Sequence, residues 1–338
     1  MRLSAMGDVA MTVPVLRAFA AQYPDIKITV ISRPFFKPLF AGIPNLNFFA
    51  FDAKRHNGFW GLPRLYHDLQ PLKIDAFADL HNVLRSKVIR TLFDLSGKKT
   101  ASVDKARRAK RKLTKPTDKI FEPLPTMFQR HAGVFGTLGF TVDLSNPVFP
   151  SKLELTSEVL QITGEKSRKW IGIAPFAQYE SKVYPADLMQ NVIDTLAENP
   201  QYHLFLFGGG KKEIEKLNKF SHNKSNITVV AGKLKFEQEL QLISNLDLML
   251  SMDSGNAHIA AMFGIKVVTL WGATHPFTGF SPFAQPLENA LVSDRKKFPA
   301  LPTSVYGNKK VAGYEDAMRT ISPESVVSKI TKLLTEKP

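Results

Sequence analysis

Apolar residues fall along this chain in two alternating registers. Short apolar runs bounded by glycine, proline or small polar residues predict strands over 26–31, 47–51, 74–78, 170–174, 203–207, 227–230, 246–252 and 267–271, with a strand remnant at 1–3. Between them, helix-like segments cover 8–23, 36–41, 62–70, 84–95, 125–138, 186–198, 211–220, 236–244, 256–263 and 323–335. Pro14 lies inside the first helix, where it would lose a hydrogen bond and clash, so that helix is expected to start late or kink. Pro323 suits the first position of the last one. Strands and helices that alternate in this way form doubly wound parallel sheets, so the chain reads as α/β. Pro147 and Pro150 mark a linker within 143–156, which divides it into domains of 1–150 and 151–338.

The stretch 246–264 is the one around which the rest is organised. A buried strand ends at Met252, and Asp253, Ser254 and Gly255 then supply turn and helix-capping chemistry. The turn lies at the carboxyl end of its strand, where open α/β sheets bind ligands. A helix N-terminus offers free N–H groups and partial positive charge, which suit a phosphate or diphosphate. Ser254 can donate a hydroxyl, Gly255 admits close approach, and His258 stands in the first turn. An ordinary capped strand-to-helix turn would use the same residues.

Composition narrows the partner more than the fold. With 338 residues, 44% hydrophobic and 22% charged, the chain has the balance of a folded protein and room for two domains. No apolar stretch reaches membrane-spanning length, no apolar leader follows Met1-Arg2, and there is no cysteine, all compatible with a reducing cytoplasm. The net charge of +15 calls for an anionic partner. Ten of the cations, among them Arg107, Arg108, Lys110 and Arg111, fall within 97–119 against two acids, Asp104 and Asp118. Such a run is either a solvated basic loop or a docking surface for anionic lipid or acceptor phosphates. Nucleic acid is not expected, because no aromatic residues interleave the cations for base stacking.

Asp253, Ser254, Gly255, His258, Ile259, Ala260, Ala261 and Gly264, followed by Trp-Gly-Ala-Thr-His-Pro at 271–276, resemble the donor-binding signature of glycosyltransferase family 9, the heptosyltransferases of lipopolysaccharide core assembly. Arg2-Leu3-Ser4-Ala5-Met6-Gly7-Asp8-Val9 resembles that family's opening motif. The resemblance covers nearly the whole chain and is weakest over 94–169. It implies a GT-B architecture: two Rossmann-like doubly wound domains facing a cleft, an N-terminal acceptor domain and a C-terminal nucleotide-sugar donor domain, with the last helix crossing back to the first.

The chemistry follows from the same resemblance. It makes Asp8 the catalytic base, although capping of the first helix would also explain an aspartate after Gly7. Lys182, within Ser181-Lys182-Val183-Tyr184-Pro185, would meet a donor phosphate; Gln178, Ser181, Gly7, Gly209 and Leu234 join it as donor-side residues. Lysine and helix amides would replace a metal, so no metal and no cofactor are expected. Arg85 matches the family's acceptor-side Leu-Arg-Ser, but His81 stands where glutamine is usual and the spacing is one residue shorter. Arg85, Arg107, Arg108, Lys110 and Arg111 are therefore the acceptor-side candidates. The family's opening strand has several apolar residues before Arg-Leu-Ser, so the natural chain is expected to carry more of them upstream of Met1.

The expected function is that of an inverting, metal-independent glycosyltransferase, moving heptose or a related sugar from a nucleotide-diphospho-sugar such as ADP-heptose to an anionic lipid A–core acceptor. Its expected place is the cytoplasm, peripheral on the inner-membrane surface. Another donor for another surface glycan, or an inactive nucleotide-binding module, stands as the alternative; the joint presence of Asp8 and Lys182 favours an enzyme.

Overall fold

The computed structural model describes residues 1–58, 60–222 and 224–336, and its first residues are already core. Met1, Arg2 and Leu3 are buried, and their backbone runs between two pairs of parallel strands. The Met1 amine donates to the carbonyl of Ala78 (2.8 Å), the Arg2 N–H to that of Ile31 (3.1 Å), and the Ser32 hydroxyl to that of Arg2 (2.6 Å). On one side lie β1 (Ile28–Ser32) and β2 (Leu46–Ala50), and on the other β3 (Ala76–Asp79) and β4 (Lys99–Ser102). Leu3, Ile31, Phe51, Leu65, Phe77, Ile89 and Phe93 form the core here, with Phe77 and Phe93 stacked at 4.9 Å.

The expected break around Pro14 is present. Helix α1 (Met6–Ala10) ends, the Thr12 hydroxyl donates to the carbonyl of Val9 (2.7 Å), and α2 (Val13–Gln22) begins with Pro14 in its first turn. A proline there gives up an N–H that has no helical partner anyway. Helices α3 (Gly61–Leu69), α4 (Leu84–Leu95) and α6 (Met127–Thr137) complete this unit, which comprises Met1–Ala106 and Pro125–Pro150.

The second unit comprises Arg107–Leu124 and Ser151–Pro338. Its strands are β5 (Lys169–Ala174), β6 (Tyr202–Leu206), β7 (Ile227–Val229), β8 (Leu248–Met252), β9 (Lys266–Trp271) and β10 (Ala290–Val292), all parallel in the order β10-β9-β8-β5-β6-β7. Every position of β8 is buried, which is why its sequence is a continuous apolar run rather than an alternation. The chain builds outward from β5 to β7, then returns to β5's other side at β8, so the order reverses between those two strands. Helices α7 (Ser157–Thr163), α8 (Ala186–Ala197), α9 (Gly210–Ser221), α10 (Phe236–Asn245), α11 (Gly255–Met262) and α12 (Pro323–Thr335) accompany the sheet.

Three features depart from the sequence-based expectation. The run 97–119 is not a bare loop: it holds β4 and the helix α5 (Arg107–Leu113), and 107–124 belongs with the second unit, not with 1–150. Lys110 is buried, its ammonium 4.3 Å from the ring centre of Phe280, and Lys119 donates to the carbonyl of Pro302 (2.9 Å). Second, the apolar face of α12 (Val326, Ile330, Leu333), a helix expected to cross back to the first domain, is buried in the second unit's own core, where it packs on α8 and β8. Third, α7 and β10 were not expected, both being too short to leave a clear periodic pattern.

His131 on α6 gives the first unit a marked acid sensitivity. It is fully buried near Arg2, Asp8, the Met1 amine and the Met11 backbone, and burial, aided by the Arg2 charge, pushes its pKa from 6.5 down to about 3. Below pH 6.5 the unfolded chain takes up this proton while the folded one stays neutral. The stability is therefore complete above 6.5 and drains as pH falls toward about 3. Denaturant titrations at pH 7.5 and 5 should show that loss, and His131→Asn should reduce the slope by about one proton. An unchanged slope in the variant would assign the acid sensitivity to other groups.

Candidate functional site

In the second unit, the reversal of strand order places the ends of β5 and β8 side by side with no crossover helix between them. Lys182, which ends the short 3-10 turn Glu180–Lys182 after β5, and Asp253, the first residue after β8, meet there. The Lys182 ammonium lies 2.8 Å from Asp253 Oδ2, with the side chains 13% and 7% exposed. The Thr274 hydroxyl, from the loop after β9, donates to the same oxygen at 2.9 Å. Three strand ends thus converge on one carboxylate.

Ser254 is the N-cap residue of α11, but no side chain caps the helix; its hydroxyl pairs with that of Ser251 at 3.0 Å. The first N–H groups of α11, beginning at Gly255, have no side-chain cap, and such amides suit a ligand's oxygens. His258 is buried in the first turn. Beside Gly209 the space is open, with nothing within 4 Å of where a Cβ would stand, and its N–H is held by Glu213 (2.8 Å). Leu234 is buried and Gln178 is exposed. Ser181 spends its hydroxyl on the carbonyl of Gly307 (2.6 Å). An ammonium and the first amides of a helix thus stand together at this end of the sheet, chemistry that suits an anion.

The first unit holds the carboxylate that the sequence singles out as a candidate base, Asp8. Gly7 and Asp8 lie in α1, and Asp8 is the third residue of that helix, not its cap as the structural alternative required; Ala5 holds the cap position. Asp8 Oδ2 receives the Ala5 N–H (3.3 Å) and an ion pair from Arg2 Nη2 (2.5 Å). Arg2 is itself pinned by the carbonyls of Ser4 and Leu80, each at 2.8 Å. Oδ1 makes no hydrogen bond among the described residues, so a carboxylate of fixed orientation has one oxygen open to a further hydrogen bond. His81 and His131 nearby are neutral: burial, then the Arg2 charge, brings them down to about 4 and about 3. Neither competes with Asp8 as a cation.

On the acceptor side the candidates separate. Arg85, in the first turn of α4, holds its guanidinium 5.2 Å from the ring centre of Phe51. Arg107, Arg108 and Arg111 are exposed on α5. Lys110 is not: its charge is committed to Phe280 and Tyr306, which removes it from any free basic surface. Sequence reasoning did not single out Arg2, Thr274 and Gly307, which the structure places against Asp8, Asp253 and Lys182. Arg2 and Thr274 sat inside the two motifs and went unassigned; Gly307 belongs to no motif, and only the fold brings it to Lys182.

The sequence profile of glycosyltransferase family 9 (heptosyltransferase) matches residues 63–310. The lipopolysaccharide core heptosyltransferase OpsX of Haemophilus influenzae is 25% identical over 345 residues, covering 98% of this chain and 95% of that protein. Among solved structures, the family 9 glycosyl transferase of Veillonella parvula superposes with a TM-score of 0.75 at 21% identity, covering 99% of this chain and 96% of that one. The ADP-heptose lps heptosyltransferase II of E. coli gives 0.68 at 19%, covering 99% and 98%. These structures share the GT-B fold with this chain, two Rossmann-like units.

The Lys182–Asp253 pair is open to a direct check. Asp253→Ala would leave a poorly solvated ammonium without its partner and should cost about 3–5 kcal/mol in denaturant unfolding. Adding Lys182→Ala should return part of that loss, with a coupling energy above about 1 kcal/mol. Strictly additive losses would mean that the two charges do not depend on each other.

Proposed function

The chain belongs to glycosyltransferase family 9, and on that basis we propose that it transfers a heptose from ADP-heptose to a lipopolysaccharide-core acceptor, with inversion and without a divalent metal. The observation that carries the reading is the Lys182–Asp253 pair at the strand-order reversal of the second sheet, beside the uncapped end of α11. An ammonium held by a carboxylate can exchange it for a diphosphate, and the helix amides add donors where the leaving group's charge grows. This is the task a divalent cation performs elsewhere. The relatedness to enzymes named for heptose transfer supports the sugar, and the E. coli structure named for ADP-heptose supports the nucleotide.

In this mechanism Asp8 Oδ1 takes the proton of the acceptor hydroxyl as that oxygen bonds to the anomeric carbon from the face opposite the diphosphate. The anomeric carbon–oxygen bond breaks on the other side, its electron pair leaves with the nucleotide diphosphate, and Lys182 meets the charge. A single displacement inverts the centre. Arg2 keeps Oδ2 occupied, so that the reacting oxygen is always Oδ1. Arg85 and the exposed Arg107, Arg108 and Arg111 offer charge to acceptor phosphates. No helix among the described residues is long and apolar enough to cross a membrane; on the charge of the exposed arginines of α5, we read the enzyme as meeting its lipid-borne acceptor at the cytoplasmic surface of the inner membrane. The alternative donors and the inactive-module reading differ from this one in observable ways.

Asp8→Asn should retain ADP binding while turnover falls by about 10²–10⁴-fold, the usual contribution of a general base. Turnover at the wild-type rate would reduce Asp8 to a helix-end residue, and no turnover with any nucleotide sugar by the wild type would favour the inactive module. For the surface, charge reversal at Arg107, Arg108, Arg111 and Lys112 should leave ADP affinity intact and abolish co-sedimentation with anionic vesicles. Wild-type sedimentation should weaken with salt, since exposed charges are screened over roughly 8 Å at physiological ionic strength. Binding that survives both treatments would show that α5 is a solvated helix with no docking role.

A further inference from the structure

We propose that the turn 304–308 is a positioning device for Lys182, and that Gly307 is the residue that fixes where the lysine's ammonium stands. This rests on the reading of Lys182 as the group that binds the donor diphosphate. Gly307 has φ +83°, and a Cβ there would lie 2.4 Å from Lys182 Cδ and 2.6 Å from Cγ. The aliphatic stem of the lysine is thus laid directly on the glycine's backbone.

The turn itself is tied from several sides, all within the second unit. The Ser304 hydroxyl accepts the N–H of Gly307 (2.9 Å) and of Tyr306 (3.3 Å) and pairs with Asn308 Oδ1 (3.1 Å). The Thr303 and Ser304 N–H groups both donate to the carbonyl of Ala273, at 3.0 and 3.1 Å. The Ala273 N–H donates to the carbonyl of Ser181 (3.1 Å), whose hydroxyl donates to Gly307 (2.6 Å). Gly272 is pressed to the same backbone, since its missing Cβ would stand 2.5 Å from the Ser181 carbonyl oxygen. From outside, the Lys110 ammonium sits 5.5 Å from the ring centre of Tyr306.

A free lysine loses much side-chain entropy when it grips an anion. Here the backbone of 181–182 and the stem are already held, and only the ammonium end has a choice, between Asp253 and an incoming phosphate. Placing a methyl group at 307 would push the stem aside and detach the ammonium from the position that α11's amides share.

The test is titration calorimetry of ADP and adenosine against the full chain and four variants. Lys182→Ala should weaken ADP strongly and adenosine little. Gly307→Ala should weaken ADP by about tenfold, the scale of one charge-assisted hydrogen bond, again sparing adenosine. In the Lys182→Ala background the glycine change should cost no further affinity. Gly313→Ala is the matched control, because Gly313 has φ +79° with nothing within 4 Å of its Cβ position, so it carries backbone strain alone and should bind as wild type. Wild-type ADP affinity in Gly307→Ala, a full additional loss in the double variant, or an equal loss in Gly313→Ala would each overturn the inference. If Lys182→Ala binds ADP normally, the phosphate reading itself fails, a result distinct from those three. Should Gly307→Ala not fold, Ser304→Ala releases the same turn without strain and decides by the same comparison.

Discussion

A parallel sheet whose strand order reverses must leave its two middle strands without a crossover helix above the gap between their carboxyl ends. That constraint organises the sheet of the second unit, and the first unit also gathers charges at strand ends. In the second, the gap lies between β5 and β8, and it receives Lys182 from one strand end and Asp253 from the other. In the first, residues 1–3 occupy the middle position beside β3, and Arg2, Asp8 and His81 gather around their ends. Backbone topology makes the place; the residue types decide what it can hold. The two pairs are opposite in kind, an ammonium resting on a carboxylate at the strand ends of one unit and a carboxylate kept in place by a guanidinium in the other.

Both ion pairs are poor investments in stability if read as isolated contacts. Removing two charges from water costs several kcal/mol per ion, and the attraction between them returns that only with good geometry and further hydrogen bonds. Each pair has those additions: Thr274 donates to Asp253, and the carbonyls of Ser4 and Leu80 hold Arg2. The pairs differ in what they leave unsatisfied. Asp8 Oδ1 makes no hydrogen bond among the described residues. On the function proposed above, that oxygen takes the acceptor proton and the Lys182 ammonium exchanges its carboxylate for a phosphate. Around Lys182 the backbone leaves room at Gly272 and Gly307.

Much of this was legible before any coordinates. The strands 26–31, 170–174 and 267–271 and the helices 84–95 and 323–335 stand within a residue or two of their expected places, because long apolar runs and regular helical spacing leave little freedom. The break at Pro14 followed from the missing N–H alone. What stayed hidden was long-range. Gly307 and Lys182 are far apart in sequence and in no shared pattern, so their contact exists only once the second sheet has assembled. The same holds for α12: its periodicity announced a helix with an apolar face, but which surface would cover Val326 and Ile330 was a tertiary matter, and α8 with β8 provides it.

The basic run shows most plainly how composition misleads without geometry. Counting cations treats each as equal charge presented to solvent, yet the run divides by its position on a helix. Arg107, Arg108 and Arg111 point outward on α5, whereas Lys110 lies beneath the same helix against Phe280 and Tyr306. An ammonium with a flexible stem can bury its methylenes and find an aromatic face, so lysine is the member of the run that can be recruited inward. Lys119 follows the same logic by a different route: desolvation, then the nearby Arg295, lowers its pKa to about 8 while two backbone carbonyls hold its ammonium. The surface charge available to an anionic partner is accordingly smaller than the sequence count. What the inward lysines provide instead is attachment of 107–124 to the second unit, including the Tyr306 ring that borders the turn beneath Lys182.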